Sequence, residues 1–247
     1  MKFKILIFTC VMCALMANGV VAKANLTNIF FLHHSTGNGL VEGGNMREVF
    51  NEYNAEHGTK FVFWDHGYNG DGLRSPAGES TELNYDIPND NTDPDGLYVL
   101  WTTNNSARTK IMKNHQVIAF KSCFPASNIE DAARLAQYKK WYLAMRKFFD
   151  KHPEKLFVVM SPPPLCVNET DARAAKNARA FANWLKGDYV KGHSNLVCFD
   201  LFDQLAGSNN MLRANYWDGG DSHPNALANE TVGPVFARFL INAAENY

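Results

Sequence analysis

Two short polar segments, far apart in the chain, carry residue types that together can perform nucleophilic catalysis. Ser35 follows a short apolar run and precedes a glycine-rich stretch, whereas His223 lies two residues after Asp221 and five after Asp218. A serine hydroxyl becomes a good nucleophile when a base removes its proton, and a carboxylate can orient that base. The pattern predicts a Ser-His-Asp arrangement, with Asp221 and Asp218 as alternatives for the acid.

Each of these residues also has a structural interpretation. Ser35 could cap a helix or close a turn, and His223, which precedes Pro224, could cap the last helix. The matching pair of segments favours catalysis over these readings. Cys123 also follows an apolar run and could be a nucleophile, but in an exported protein we favour a disulfide for it.

Two further histidines, His33 and His34, directly precede Ser35. Adjacent residues at a strand end face opposite ways, so at most one of them should point into a site. We take His34 as the candidate for substrate binding, although both could simply fill space. Histidines and aspartates together also suggest a metal-dependent hydrolase, but no His-x-x-x-His spacing supports a metal site. The sequence therefore predicts no metal.

The N-terminus resembles an export signal. Lys2 and Lys4 precede an apolar run over residues 5–17, and Ala22-Lys23-Ala24 forms an Ala-x-Ala cleavage pattern. We expect residues 1–24 to be removed after Ala24. The run is too short for a membrane span, which predicts a secreted or periplasmic protein without a membrane anchor.

Composition limits the possible partners. Of 247 residues, 46% are hydrophobic and 20% charged, which is ordinary for a globular protein. Without residues 1–24 the chain would carry 21 basic and 25 acidic residues, a net charge of −4. No basic block is present, so a nucleic-acid partner is not predicted. Residues 25–247 suit one domain.

Apolar runs alternate with helical periodicity along the chain. Strands are predicted at 29–32, 60–64, 116–120, 156–160 and 196–202, and helices near 45–56, 129–150, 171–186 and 226–244. Continuous apolar strands alternating with helices indicate a parallel sheet covered on both faces. We therefore predict a three-layer α/β/α sandwich with five parallel strands. Residues 65–114 form an insertion with two short helices, near 97–101 and 107–113, and no strand, and we expect it to face substrate.

Four segments make the chain similar to the SGNH (GDSL-type) hydrolases. Residues 33–37 stand where that family has its Gly-Asp-Ser nucleophile block, and 69–72 resemble its second block. Residues 161–165 resemble the proline-rich end of its fourth strand, and 221–225 its terminal Asp and His block. The resemblance implies a flavodoxin-like sandwich and a serine esterase that needs no cofactor.

The resemblance also implies donors for an oxyanion hole. The amides of Ser35 and Gly70 would take two of these roles. Residues 121–128 replace the family's third block, so the third donor would be Asn128 or Ser122. The chain departs from the family at the first block, which lacks Gly-Asp, and at Gly220, where the family usually has its acid.

The family's strand order places the third and fourth strands side by side. Cys123 and Cys166 follow these strands, so we predict a disulfide between them, with Cys198 buried as a small apolar residue.

We expect an esterase for small acyl esters, with acetylated carbohydrate as the proposed substrate. The sugar assignment rests on export, on the aromatic insertion with Trp64 and Tyr68 near the second block, and on the family resemblance. A lipid or lysophospholipid esterase is one alternative, and a non-catalytic glycan-binding protein on the same fold is another. The partner in either esterase reading is a small-molecule or glycan ester, and the sequence gives no oligomeric state.

Overall fold

The structure, a computed structural model, describes residues 26–247. The strands in this part of the chain are β1 (Asn28–Leu32), β2 (Val62–His66), β3 (Leu73–Arg74), β4 (Val117–Lys121), β5 (Leu156–Met160) and β6 (Leu196–Phe199). They form one sheet in the order β3-β2-β1-β4-β5-β6. All neighbours pair in parallel except β3, which is antiparallel to β2.

The strand order reverses at β1. The chain passes from β1 to β2 on one side and later returns to β4 on the other side of β1. Such a reversal opens a crevice beyond the carboxyl ends of the two strands that diverge, here β1 and β4, and ligands of open α/β sheets bind there.

Helices cover both faces of the sheet. They are α1 (Ser35–Asn38), α2 (Met46–His57), α3 (Pro94–Thr102), α4 (Ser106–Asn114), α5 (Ala132–Phe149), α6 (Ala172–Trp184), α7 (Leu201–Leu205) and α8 (Ala226–Asn246). Single π-helical turns cover Gly39–Gly43 and Leu185–Tyr189, and 3-10 turns cover Pro88–Asp90, Phe124–Ser127 and Ala214–Tyr216. The long helices α5, α6 and α8 begin at side-chain caps, respectively Asp131, Asp171 and Asn225.

Alternate residues of each strand pack into two separate cores. Ile29 and Phe31 belong to the core beneath α2 and α8, whereas Phe30 and Leu32 belong to the core beneath α3–α6. This period-2 alternation explains why the strands are apolar throughout, since both faces are buried.

The predicted three-layer α/β/α sandwich is confirmed, with a sixth strand beside the five parallel ones. The two short helices of the insertion are present as α3 and α4. The prediction that residues 65–114 hold no strand is wrong, because Leu73–Arg74 pairs with the end of β2.

Two strands end at residues other than those predicted, and in both cases a polar residue sets the end. β2 extends to His66, since Asp65 and His66 are fully buried. The last strand ends at Phe199, because Asp200 starts α7 and its side chain accepts a hydrogen bond from the Asp203 amide.

The predicted signal peptide, residues 1–24, lies outside the described residues. Among residues 26–247, no helix has the length and apolar character needed to cross a membrane.

Candidate active site

Ser35 lies where β1 turns into α1. The amides of Gly37 and Asn38 both donate to the carbonyl of His34, at 2.8 and 3.0 Å, which closes the turn tightly. Gly37 is required here, because a Cβ atom on it would lie 2.2 Å from the Cβ of His33. The turn thus sets Ser35 at the carboxyl end of β1, beside the crevice between β1 and β4.

The structure brings Ser35, His223 and Asp221 together. The Ser35 hydroxyl donates to Nε2 of His223 at 2.7 Å, and Nδ1 of His223 donates to Oδ1 of Asp221 at 2.7 Å. The His223 backbone amide donates to the same oxygen at 3.0 Å. The hydrogen bond from the His223 ring, followed by that from its amide, lowers the pKa of Asp221. The arrangement can take a proton from Ser35 and stabilise the resulting imidazolium.

Asp218, the alternative acid, is placed elsewhere. Its Oδ1 accepts a hydrogen bond from Nδ2 of Asn225 at 3.0 Å. It therefore supports the start of α8, whereas Asp221 is the carboxylate that contacts the His223 ring.

A cavity of about 240 Å³ adjoins Ser35. Its wall combines residues after β1 with residues after β2, namely His33, His34, Ser35, Asn38, Gly67, Tyr68, Asp71 and Arg74.

Three of the residues predicted for the oxyanion hole lie outside this wall. Gly70 is exposed on the turn beyond Tyr68. Asn128 accepts a hydrogen bond from Thr170 through its side chain, and Ser122 is fully buried.

Gly67, which the sequence analysis missed, lines the cavity beside Ser35. It directly follows His66, so the correct end of β2 would have identified it as the glycine at the strand end.

His34 lines the cavity as a neutral ring. Its Nδ1 lies 3.1 Å from Sγ of Cys123, and its ring stacks on Tyr68 with centroids 4.0 Å apart. Burial, followed by the charge of Lys121, lowers the pKa of His34 to about 4. His34 is thus uncharged near neutral pH and offers shape and polarity rather than charge.

His33 belongs to a largely buried network of hydrogen bonds that the sequence analysis did not identify. Its Nε2 lies 3.0 Å from Oδ2 of Asp65, and its Nδ1 lies 2.9 Å from the carbonyl of His34. The second oxygen of Asp65 accepts from Arg47, which also pairs with Glu42 at 2.8 Å. The network ties the end of β1 to β2 and α2.

The predicted disulfide between Cys123 and Cys166 is wrong, because both thiols are free. Cys123 contacts His34 and, at 3.3 Å, the hydroxyl of Thr92. Cys166 packs in the core beneath α2 and α8. The two strands do neighbour each other, but the segments that follow them carry the two thiols to different surroundings. Cys198 was predicted to be buried. It is half-buried and packs against the core beneath α3–α6.

Among residues 26–247, no group of three or more His, Cys, Asp or Glu side chains is arranged to hold a metal ion.

Comparison with known proteins finds similarity in structure alone. No protein-family model and no curated protein matches the sequence. A protein assigned to the G-D-S-L family of lipolytic proteins, from Desulfitobacterium hafniense, is 12% identical with a TM-score of 0.51, over 86% of this chain and 98% of that one. A protein assigned as an acylhydrolase, from Bacteroides fragilis, is 12% identical with a TM-score of 0.54, over 88% of each chain. A GDSL-like lipase from Bacteroides thetaiotaomicron is 9% identical with a TM-score of 0.50, over 88% and 89%.

The chain therefore has the fold of the SGNH (GDSL-type) hydrolases. At these identities the likeness concerns the fold, and the chemistry has to be argued from the site itself.

Proposed function

We propose that this protein is an exported serine esterase that hydrolyses small acyl esters, with acetylated carbohydrate as its substrate class. The observation that carries the proposal is the hydrogen-bonded chain from Ser35 through His223 to Asp221, with 2.7 Å at each step. Structural neighbours assigned as acylhydrolases and lipases support ester hydrolysis in general. Export rests on the sequence of residues 1–24.

The proposed reaction is acyl transfer in two steps. The Ser35 oxygen attacks the ester carbonyl carbon while Nε2 of His223 takes the hydroxyl proton. The intermediate collapses, the C–O bond to the alcohol breaks, and His223 returns the proton to the leaving alcohol. Water then attacks the acyl-Ser35 ester with His223 again as base, which releases the acid and restores the Ser35 hydroxyl.

The developing oxyanion needs hydrogen-bond donors near Ser35. We propose the backbone amides of Ser35 and Gly67, because both residues border the same cavity. Gly67 takes the place that the sequence analysis gave to Gly70. Loss of one such donor typically lowers kcat by about two to three orders of magnitude.

The shape and polarity of the cavity favour a short acyl group on a polar alcohol. About 240 Å³ leaves room for a small substituent beside Ser35. Asn38, Asp71 and Arg74 in its wall offer donors and acceptors to hydroxyl groups. Tyr68 stacks on His34 with one face of its ring and is 41% exposed, so we propose that a sugar ring stacks on its other face. This lining is less suited to a long acyl chain.

The test is the intact mass of the protein after reaction with a fluorophosphonate probe. We expect one adduct on the wild type and none on Ser35→Ala or His223→Ala. Turnover of acetylated xylo-oligosaccharide is then compared with turnover of a lysophospholipid. A folded wild type that takes no label would contradict the esterase. Glycan binding retained by Ser35→Ala, without turnover by the wild type, would instead identify a glycan-binding protein.

A further inference from the structure

We propose that Glu169 is a positioning residue of the proposed esterase site, which it serves by holding Ser222 between Asp221 and His223. This inference rests on the proposed function. Oε2 of Glu169 accepts hydrogen bonds from the Ser222 amide, at 3.1 Å, and from the Ser222 hydroxyl. The carboxylate lies in the turn that follows β5, so it joins that turn to the loop carrying the base.

Ser222 is a buried anchor in an otherwise exposed segment. It has no exposed surface, whereas the side chains of Asp221 and His223 are 53% and 41% exposed. The Ser222 oxygen also accepts from the Cys166 amide at 2.9 Å. The Glu169 amide in turn donates to the Cys166 carbonyl at 3.1 Å. The turn over residues 166–169 thus binds Ser222 from two directions.

The segment before Ser222 contains two consecutive glycines. Gly219 has a positive φ of 89°, and Gly220 follows it. Trp217 supports this side through its indole N–H, which donates to the carbonyl of Asp221 at 2.9 Å. The position of His223 therefore depends on Ser222 and its partners, together with Phe124, whose ring contacts the His223 ring edge-on with centroids 4.8 Å apart. A displacement of about 1 Å can lower a rate by about 100-fold, so this anchor should affect catalysis.

The geometry predicts which substitutions preserve the anchor. A single oxygen of Glu169 accepts both bonds from Ser222. A glutamine can present its amide oxygen in the same place, whereas alanine leaves both donors of Ser222 without this acceptor. If the role is positioning, Glu169→Gln should rescue what Glu169→Ala loses.

The experiment compares Glu169→Ala, Glu169→Gln and, as a control in the same turn, Asn168→Ala. With p-nitrophenyl acetate we expect Glu169→Ala to lower kcat by about 10- to 100-fold with little change in KM. Glu169→Gln should stay within about 3-fold of the wild type, because it keeps the acceptor. Asn168→Ala should be unchanged, since the hydrogen bonds to Ser222 come from Cys166 and Glu169.

A second measurement does not depend on turnover. The ¹⁵N shifts of the His223 ring, recorded in alkaline buffer, report which ring nitrogen carries the proton. We expect the Nδ1–H form in the wild type and Glu169→Gln, and a mixture of both forms in Glu169→Ala. Wild-type kcat and ring shifts in Glu169→Ala would overturn the inference, as would a Glu169→Gln variant as impaired as Glu169→Ala. If the wild type lacks esterase activity, the proposed function fails, and the ring shifts still decide whether Glu169 positions His223.

Discussion

Two His-Asp pairs flank Ser35, and they differ in burial and in what their ring nitrogens contact. In the His33–Asp65 pair both side chains are almost fully buried, at 2% and 1% exposure. In the His223–Asp221 pair they are 41% and 53% exposed. Both ring nitrogens of His33 have fixed partners in the protein, Asp65 and the carbonyl of His34. His223 uses only Nδ1 in this way and directs Nε2 to the hydroxyl of Ser35.

The comparison shows that residue type and proximity do not define a base. His33 has no nitrogen left to accept a proton from Ser35, so its pair can hold two strands together but cannot perform the proton transfer. His223 lies on an exposed loop and directs Nε2 at the hydroxyl of Ser35. We expect substitutions to separate a structural pair, His33–Asp65, from the proposed catalytic pair, His223–Asp221.

The largest effect is expected for His223→Ala. Loss of the base should lower kcat by roughly five to six orders of magnitude, as in other serine hydrolases. The melting temperature should change little, because the His223 side chain is 41% exposed. Hydrolysis of p-nitrophenyl acetate and thermal unfolding measure the two quantities. Wild-type turnover in this variant would remove His223 from the mechanism.

Asp221→Asn should have the next largest effect. An asparagine can hold the wrong tautomer of the histidine, and the equivalent change in other triads lowers kcat by about 10⁴. Asp218→Asn is the matched control, and it should stay within a few-fold of the wild type because Asp218 contacts Asn225. The reverse result would make Asp218 the acid. Steady-state kinetics on both variants decide the question.

The buried pair should affect stability more than the exposed pairs do. His33→Ala leaves Oδ2 of Asp65 buried without its hydrogen bond, although Arg47 still pairs with the other oxygen. An unsatisfied buried acceptor of this kind costs about 1–3 kcal/mol in the free energy of unfolding. His193→Ala is the control, because His193 and Asp150, which pair at 2.6 Å, are 23% and 40% exposed. The control should cost no more than about 1 kcal/mol. Urea unfolding that gave equal losses for both would contradict a structural role for His33.

The smallest effect concerns pH. The folded pKa of His34 is about 4, and an unfolded histidine titrates near 6.5. Between these values the unfolded chain binds a proton that the folded protein does not, so the free energy of unfolding should fall as pH decreases from about 6.5 to about 4. His66 and His115 contribute in the same direction, because burial also lowers their pKa.

The matching variant is His34→Gln. Its free energy of unfolding should depend less steeply on pH over this window, and the change in slope corresponds to the uptake of up to one proton fewer on unfolding. Urea titrations at several pH values measure it. An unchanged slope would show that His34 takes up its proton in the folded state as readily as in the unfolded chain.

The sequence was most informative where burial and hydrophobicity coincide. The alternation of apolar runs and helical periodicity predicted the layers, the five parallel strands and the long helices. The sequence also indicated Ser35, His223 and Asp221, because their residue types can act as nucleophile, base and acid. Boundaries were wrong where polar residues are buried. Asp65 and His66 extend β2 because His33, Arg47 and Asn84 satisfy them. The family resemblance indicated Gly70 as an oxyanion donor, whereas the cavity beside Ser35 is lined by Gly67.

The tertiary structure decided which polar groups meet. Sequence spacing favoured Asp221 and left Asp218 as an alternative, and the fold of the loop before α8 brought Asp221 to the ring. Neighbouring strands suggested a disulfide, but the segments after β4 and β5 diverge and leave both thiols free. The anchoring of Ser222 by Glu169 joins residues 53 positions apart. Apolar residues that will be buried recur at regular spacings along the chain, so the sequence shows them directly. A hydrogen bond depends on the direction and distance of two groups that only the folded chain brings together.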